Sequence, residues 1–220
     1  MSQHLPRQLT LLKQKLLLVG TYVEEAFAKA VTALMNRDRN LAIEVIEGDA
    51  EIDRLEVDCE EECLKTLALY QPVVATDLRF VVAVLKINND LERMGDLARN
   101  IAKRAVLLSE VERSDMISDL RPAASRAQSM MKRALDAFVH LDVSLAHTVR
   151  KDDDEVDMMR REFQRRALER VKEEPQKSET WLALNSVSKH IERLADMAVS
   201  VAEEVIYLVE GSIVRHTEEP

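Results

Sequence analysis

The sequence predicts an all-α protein built as two tandem three-helix bundles related by an internal repeat. Three observations predict it. Apolar residues recur at alternating spacings of three and four along six segments, the seam of left-handed helix packing. Gly (4), Pro (5) and aromatic residues (4%) are scarce among 220 residues, which leaves little for a turn-rich sheet protein. The two halves also match: ALMNRDRNLA echoes AFVHLDVSLA at an offset of 104, pairing Asp38 with Asp142 and Leu41 with Leu145. The same offset pairs Asp49 with Asp153, Glu51 with Glu155 and Asp53 with Asp157. Beyond the next proline the offset is 100, pairing Ala83 with Ala183, Glu92 with Glu192, Arg93 with Arg193 and Asp96 with Asp196.

The first helical seam runs Leu9, Leu12, Leu16, Val19, Val23, Ala26, Ala30, Ala33, and NRDRN at 36–40 ends it. The second runs Leu41, Val45, Ile52, Leu55, Cys59, with Gly48 in the gap. Pro72 then breaks the chain, and Thr76 is the expected N-cap of the third seam: Val84, Ile87, Leu91, Met94, Ala98, Ile101, Ala105, Leu108. The polar SEVERSD at 109–115 divides the halves. The fourth seam is Leu120, Ala124, Ala127, Met131, Ala134, Phe138, Leu141. Asp142 opens the fifth: Leu145, Val149, Val156, Met159, Phe163. Pro175, with Ser178 as expected N-cap, opens the sixth: Val187, Ile191, Leu194, Ala198, Val201, Val205, Leu208. The expected bundles are therefore 1–112 and 113–212, with a tail at 213–220 whose RHTEEP end should fray.

Charge and hydropathy exclude several classes. A net charge of −9 argues against a nucleic-acid binder, which needs basic surface to displace counterions. No apolar run approaches the roughly 20 residues that span a bilayer. The opening MSQHLPRQLT lacks a signal peptide's charged head and apolar run, so a cytoplasmic place is expected. Cys59 and Cys63 stand one helical turn apart opposite Phe163 and Ala167 in the repeat, which marks them as packing residues rather than metal ligands.

The candidate site lies in the acids. Glu92 and Asp96 stand one turn apart on the third helix, and Glu192 and Asp196 repeat them on the sixth. Like charges at that spacing repel by roughly 0.2–0.5 kcal/mol per pair. In an antiparallel hairpin, residues equidistant from the turn share a height. Asp49 and Asp96 are equidistant from Pro72, as are Asp53 and Glu92; Asp153 and Asp196, and Asp157 and Glu192, are equidistant from Pro175. Each hairpin should therefore gather four carboxylates, the two on one helix separated by about 6 Å of rise. With Leu91 at heptad position a, Glu92, Asp96 and Asn100 fall at b, f and c, a surface stripe rather than a buried di-metal centre. Clustered carboxylates are hard ligands suited to Mg, Mn, Ca or Fe ions. The alternative is a solvated polar face with Arg54, Arg93 and Arg193 as counter-charges.

Other chemistries find no support. No Glu-x-x-His, Cys-x-x-Cys or His-x-x-x-His spacing occurs, nor a Gly-rich phosphate loop. No Ser, His and Asp set announces itself. His190, beside the second acid pair, is expected at the surface. The basic run from Arg160 to Lys172 interleaves Arg with Glu and reads as a salt-bridged exposed face, with a docking surface for an acidic partner as the sharper alternative. Trp181 aligns with Val81 and is expected in the core.

Two stretches carry a family likeness: YQPVVATDLRFVVAVLKINNDLERMGDLARNIAKRA (70–105) and its echo HIERLADMAVSVAEEVIYLVEG (190–211). Together with the Pro72, Asp77, Leu78, Arg79 turn, they resemble the PhoU family of phosphate-signalling accessory proteins, over nearly the whole chain. The resemblance implies two three-helix repeats and acid motifs holding metal clusters, here Asp49/Asp53, Glu92/Asp96, Asp153/Asp157 and Glu192/Asp196, with Asn100 following the first. It implies divalent or trivalent ions (Fe, Mn, Mg or Zn), without fixing which. It further implies a cytoplasmic negative regulator, peripheral to the membrane through its partners; the missing catalytic motif points to a non-enzymatic role, and exposed apolar surface on such thin bundles to a homodimer or higher assembly. Those partners are the ATPase subunit of a phosphate-importing ABC transporter and a phosphate-sensing histidine kinase. The second repeat has Ser200 where the pattern places Asn, so its cluster is expected to lack a ligand, bind more weakly or hold fewer ions. A metal-assisted hydrolase and a metal-storage scaffold remain the competing readings.

Overall fold

The computed structural model describes residues 4–70 and 74–212; the Pro72 turn and the tail from 213 lie outside them. Six helices account for nearly all the described residues: α1 (His4–Asn36), α2 (Arg39–Leu69), α3 (Ala75–Glu110), α4 (Arg121–His140), α5 (Val143–Glu173) and α6 (Ser178–Glu210). Single 3-10 segments, Asp115–Leu120 and Pro175–Lys177, lead into α4 and α6. No strand occurs among the described residues, and the fold is all-α as the spacing predicts.

The seams are largely buried as expected; Leu141, the last position of the fourth, is 49% exposed, because α4 ends at His140 and Leu141 turns the chain out of the helix. All eight apolar seam positions of α3, from Val84 to Leu108, are buried, and so are Val187 through Val205 on α6. Each fully buried Leu or Ile contributes about 1.5–3 kcal/mol, so thirty-residue seams hold these long helices without help from propensity. Cys59 and Cys63 are free and buried in this interior, and Trp181 is buried too. The interior runs unbroken through both halves.

The repeat extends to backbone detail. Arg37 and Leu141, at matching positions, both adopt the left-handed conformation, with φ of 58° and 52°. The amides of Asp38 and Asp142 then bond back to the Ala33 and Ala137 carbonyls at 2.9 and 3.0 Å. Their carboxylates cap α2 and α5 by accepting from the Leu41 and Leu145 amides at 3.0 and 2.9 Å. Two expected caps are displaced. Val74, not Thr76, precedes α3, because the Leu78 amide already bonds the Val74 carbonyl and the helix starts two residues early. Lys177, not Ser178, precedes α6, because the 3-10 turn at Pro175 runs straight into the helix.

Helices α1, α2 and α3 pack on one another, as do α4, α5 and α6; the halves meet through α3 against α6 and α1 against α4. Lys86 on α3 reaches Glu204 on α6 at 3.1 Å, and Glu204 is only 4% exposed. Phe80 stacks on Phe138 with ring centroids 5.9 Å apart. Gly20 lets α1 approach α4: a Cβ there would stand 2.8 Å from Leu135 Cδ1. The α3–α6 pair is thus a central spine, flanked by the α1–α2 and α4–α5 pairs.

Candidate metal centre

Helix register decides whether the acids meet. Across α2 and α3 it is marked by Asn88, whose side-chain amide donates to the Glu56 carbonyl at 3.0 Å and to its carboxylate at 2.9 Å. One helix turn along α2, Ile52 lies against Gly95, where an added Cβ would stand 3.1 Å from Ile52 Cγ2. The glycine lets the two backbones close at the level of the acids. Each acid of the first set therefore feels the others. Burial raises the Glu92 carboxyl above its usual range, and Asp96, Asp53, Glu56 and Asp49 raise it further. Burial also raises Asp49; Arg99 opposes the rise, while Asp53 and Asp96 add to it.

The second set gathers between α5 and α6, with Ser188, Arg160 and Ala195 where the first half has Asn88, Glu56 and Gly95. Burial, then Asp196, Asp157, Asp154 and Glu192, push the Asp153 carboxyl up to about 7. Burial, Glu192 and Asp157 push Asp196 up to about 6, against the pull of Arg193. Oδ1 of Asp153 is enclosed and has no hydrogen-bond partner. Buried polar atoms are nearly always paired, so this one is a functional clue. The acids are neighbours rather than a finished cage. Among the described residues no three His, Cys, Asp or Glu side chains converge on a point ready to hold a metal ion. Mutual repulsion favours that spread when no cation stands between them.

The outward stripe needs one correction. Asp49 is 4% exposed, sunk into the wall between α2 and α3. It is tolerated there because Arg99, one turn beyond the acids on α3, bonds it with Nη1 and bonds Asp96 with Nη2 at 2.6 Å. Arg99 is the counter-charge of the first set. Arg54 instead pairs with Glu51 and Asp58 on its own helix. In the repeat Val199 replaces Arg99, and Arg161 pairs with Asp157 from the exposed side at 2.8 Å.

Glu56 and Asp154, which act on the first and second sets, were not anticipated; their repeat positions hold Arg160 and Ala50. Glu56 was findable, since it lies level with Asn88 in the hairpin. Asn100 sits half-buried one turn beyond Asp96, and Ser200 lines a cleft of about 200 Å³ with Lys86, Asn89, Asp90 and Glu204. Ser200 thus opens toward the α3–α6 groove. His190 is half-buried rather than at the surface: its Nε2 meets Ser186 Oγ at 3.2 Å, and burial, Arg104, Arg193 and Lys189 all lower its proton affinity. That cationic setting is unlike a metal ligand's. In the basic run, Arg165 bridges Glu162 and Glu169, and Arg166 and Arg170 reach Asp119 and Asp115, as a salt-bridged face should.

Three clefts of about 420 to 530 Å³ lie at helix ends, and none is lined by any of the eight acids. The second set fits a hard cation by its all-oxygen donors and the orphaned Asp153 oxygen. The first offers the same donors with a guanidinium already among them. Among the described residues no helix is long and apolar enough to cross a membrane.

Comparison with known proteins gives concordant results. The family model for the PhoU domain matches residues 16–105 and 120–205, one match in each half. A curated relative, the phosphate-specific transport system accessory protein PhoU homolog of Aquifex aeolicus, is 40% identical over 204 residues, covering 93% of this chain and 92% of that protein. The crystal structure of PhoU from Pseudomonas aeruginosa superposes with a TM-score of 0.91 at 36% identity, covering 94% of this chain and 99% of that one. That of the phosphate transport system regulatory protein PhoU from Streptococcus pneumoniae gives a TM-score of 0.87 at 28% identity, over 96% and 99%.

Proposed function

This chain belongs to the PhoU family, and from that premise we propose that it is a metal-loaded adaptor that damps phosphate uptake and phosphate-starvation signalling. It acts in the cytoplasm without catalysing a reaction. Its helical faces dock on the ATPase subunit of a phosphate-importing ABC transporter and on a phosphate-sensing histidine kinase, and it reaches the membrane through them. Relatives at 30–40% identity over most of the chain are named accessory proteins of a phosphate-specific transport system, which supports the phosphate side of this reading.

The observation that carries the metal side is the carboxylate set of Asp153, Asp157, Glu192 and Asp196, in which Asp153 has an enclosed, unpartnered Oδ1 and is pushed up to about 7 by burial and by the acids around it. Asp49, Asp53, Glu92 and Asp96 are the corresponding ligands between α2 and α3. A divalent or trivalent ion supplies positive charge at each set. The residues on α5 and α6, or α2 and α3, would hold it from two helices at once, fixing the outer helix of each half against the spine. Docking faces built on the outer helices are then stiffer when metal is present.

Deleting the gene in phosphate-replete cells tests the role. Alkaline phosphatase expression should rise, the native gene should silence it again, and an Asp153→Asn/Asp196→Asn variant should restore silencing poorly. Unchanged expression on deletion rejects the regulatory role. Full silencing by the double variant rejects a requirement for metal at the second set.

A further inference from the structure

Taking the two acid sets as cation sites, we propose that Arg99 is a built-in occupant of the first one. The protein therefore fills in order: the α5–α6 site takes metal first, and the α2–α3 site only as the guanidinium is expelled. The two members of the first set that Arg99 bonds, Asp49 and Asp96, correspond to Asp153 and Asp196 in the second. The guanidinium thus bridges the two helices where a metal ion would bridge them. An entering ion must displace a half-enclosed guanidinium that bridges both helices of the first set; in the second, Val199 stands in that place, and Arg161 holds Asp157 only from the exposed side of the same helix.

The side chain is placed to leave. Arg99 is 31% exposed, so its long stem can carry the head outward to water while staying packed along the helix. Its grip is also incomplete, because its Nε is enclosed without a hydrogen-bond partner. Asp49 cannot give up a cation so readily: it is 6% exposed by its side chain and would be left a bare buried charge. Departure of Arg99 and arrival of metal are therefore one exchange. The pair of sites covers a wider range of ion concentration than two identical sites would. The sequence alone points the other way, since Ser200 for Asn100 suggests that the second site is the poorer.

Calorimetric titration of the metal-stripped full chain with Mn²⁺ tests the order, with bound Mn²⁺ per chain measured separately. Native protein should show two classes of site whose affinities differ by tenfold or more. Arg99→Val should tighten the weaker class and close that gap, Arg99→Gln should close it in part, and Val199→Arg should weaken the tighter class by a similar factor. Thermal melts of each variant check folding; should Arg99→Val not fold, Arg99→Gln and Val199→Arg decide by themselves. Equal classes in the native protein, or classes unmoved by the exchanges, overturn the role of Arg99 while leaving the metal sites standing. No Mn²⁺ bound by any form overturns both.

Discussion

The acid set between α2 and α3 and the set between α5 and α6 start from the same repeat and solve the same problem differently. Both crowd four carboxylates into a helical hairpin. In the first, the deepest acid, Asp49, is almost fully enclosed and is neutralised from within by Arg99. In the second, burial and then the neighbouring acids Asp196, Asp157, Asp154 and Glu192 push Asp153 up to about 7. A repeat therefore conserves geometry more strictly than electrostatics. The acid set is doubled, while a guanidinium that bridges its two helices is present once.

The comparison can be broken most severely at the second set. Asp153→Ala with Asp196→Ala should weaken the tighter class of Mn²⁺ binding by about 100-fold, measured by titration. Asp49→Ala with Asp96→Ala should leave that class within a few-fold of native. Next in size is Arg99→Ala in the metal-free protein. Removing a partner of a buried charge costs more than the pair is worth, and with Arg99 partly exposed the loss should be about 2 kcal/mol in urea unfolding. Val199→Ala should cost less than half of that.

Acidity gives a third, smaller test. Asp153 and Asp196 hold protons in the folded state, near pH 7 and pH 6, that the unfolded chain releases near 4. Their contribution to stability is fully present below about pH 4 and is lost as pH rises through 6 and 7. In EDTA, Asp153→Asn should therefore raise the melting temperature by a few degrees at pH 8, by less at pH 5, and change it little at pH 4. Asp49→Asn should lower it at pH 8, because it strips Arg99 of an ionised partner. The smallest effect belongs to the matched turns. Leu141→Gly relieves a left-handed residue that makes no other demand and should stabilise by about 0.5–1 kcal/mol. Arg37→Gly relieves the same strain but loses the bonds from Arg37 to the Ser109 and Val111 carbonyls, so it should show no gain by chemical denaturation.

What the sequence made legible was whatever periodicity governs. The seams of α3 and α6 were readable because burying one face of a helix imposes a spacing. The meeting of Asp49 with Asp96 followed because antiparallel hairpins conserve distance from the turn. Arg99 escaped notice for a physical reason: a long side chain reaches back along its helix to a level its Cα does not mark. It did leave a trace, as the position one turn past the acids where Arg faces Val across the repeat. The displaced caps at Thr76 and Ser178 show another limit. Backbone bonds begun one or two residues earlier outrank a favourable cap residue. Half-burial of His190 depends on contact with α3 from the other half, which no pattern within α6 records.

The ion pair of Lys86 with Glu204 has a consequence for how the halves can change. Sliding α3 past α6 by one notch of their interlocking ridges would carry the ammonium about 5.4 Å away from a carboxylate with almost no access to water. The two halves are thus keyed lengthwise, like a shaft in its slot. Shear along the spine is opposed by that key, and a hinge-like opening of the flanking helices leaves it untouched.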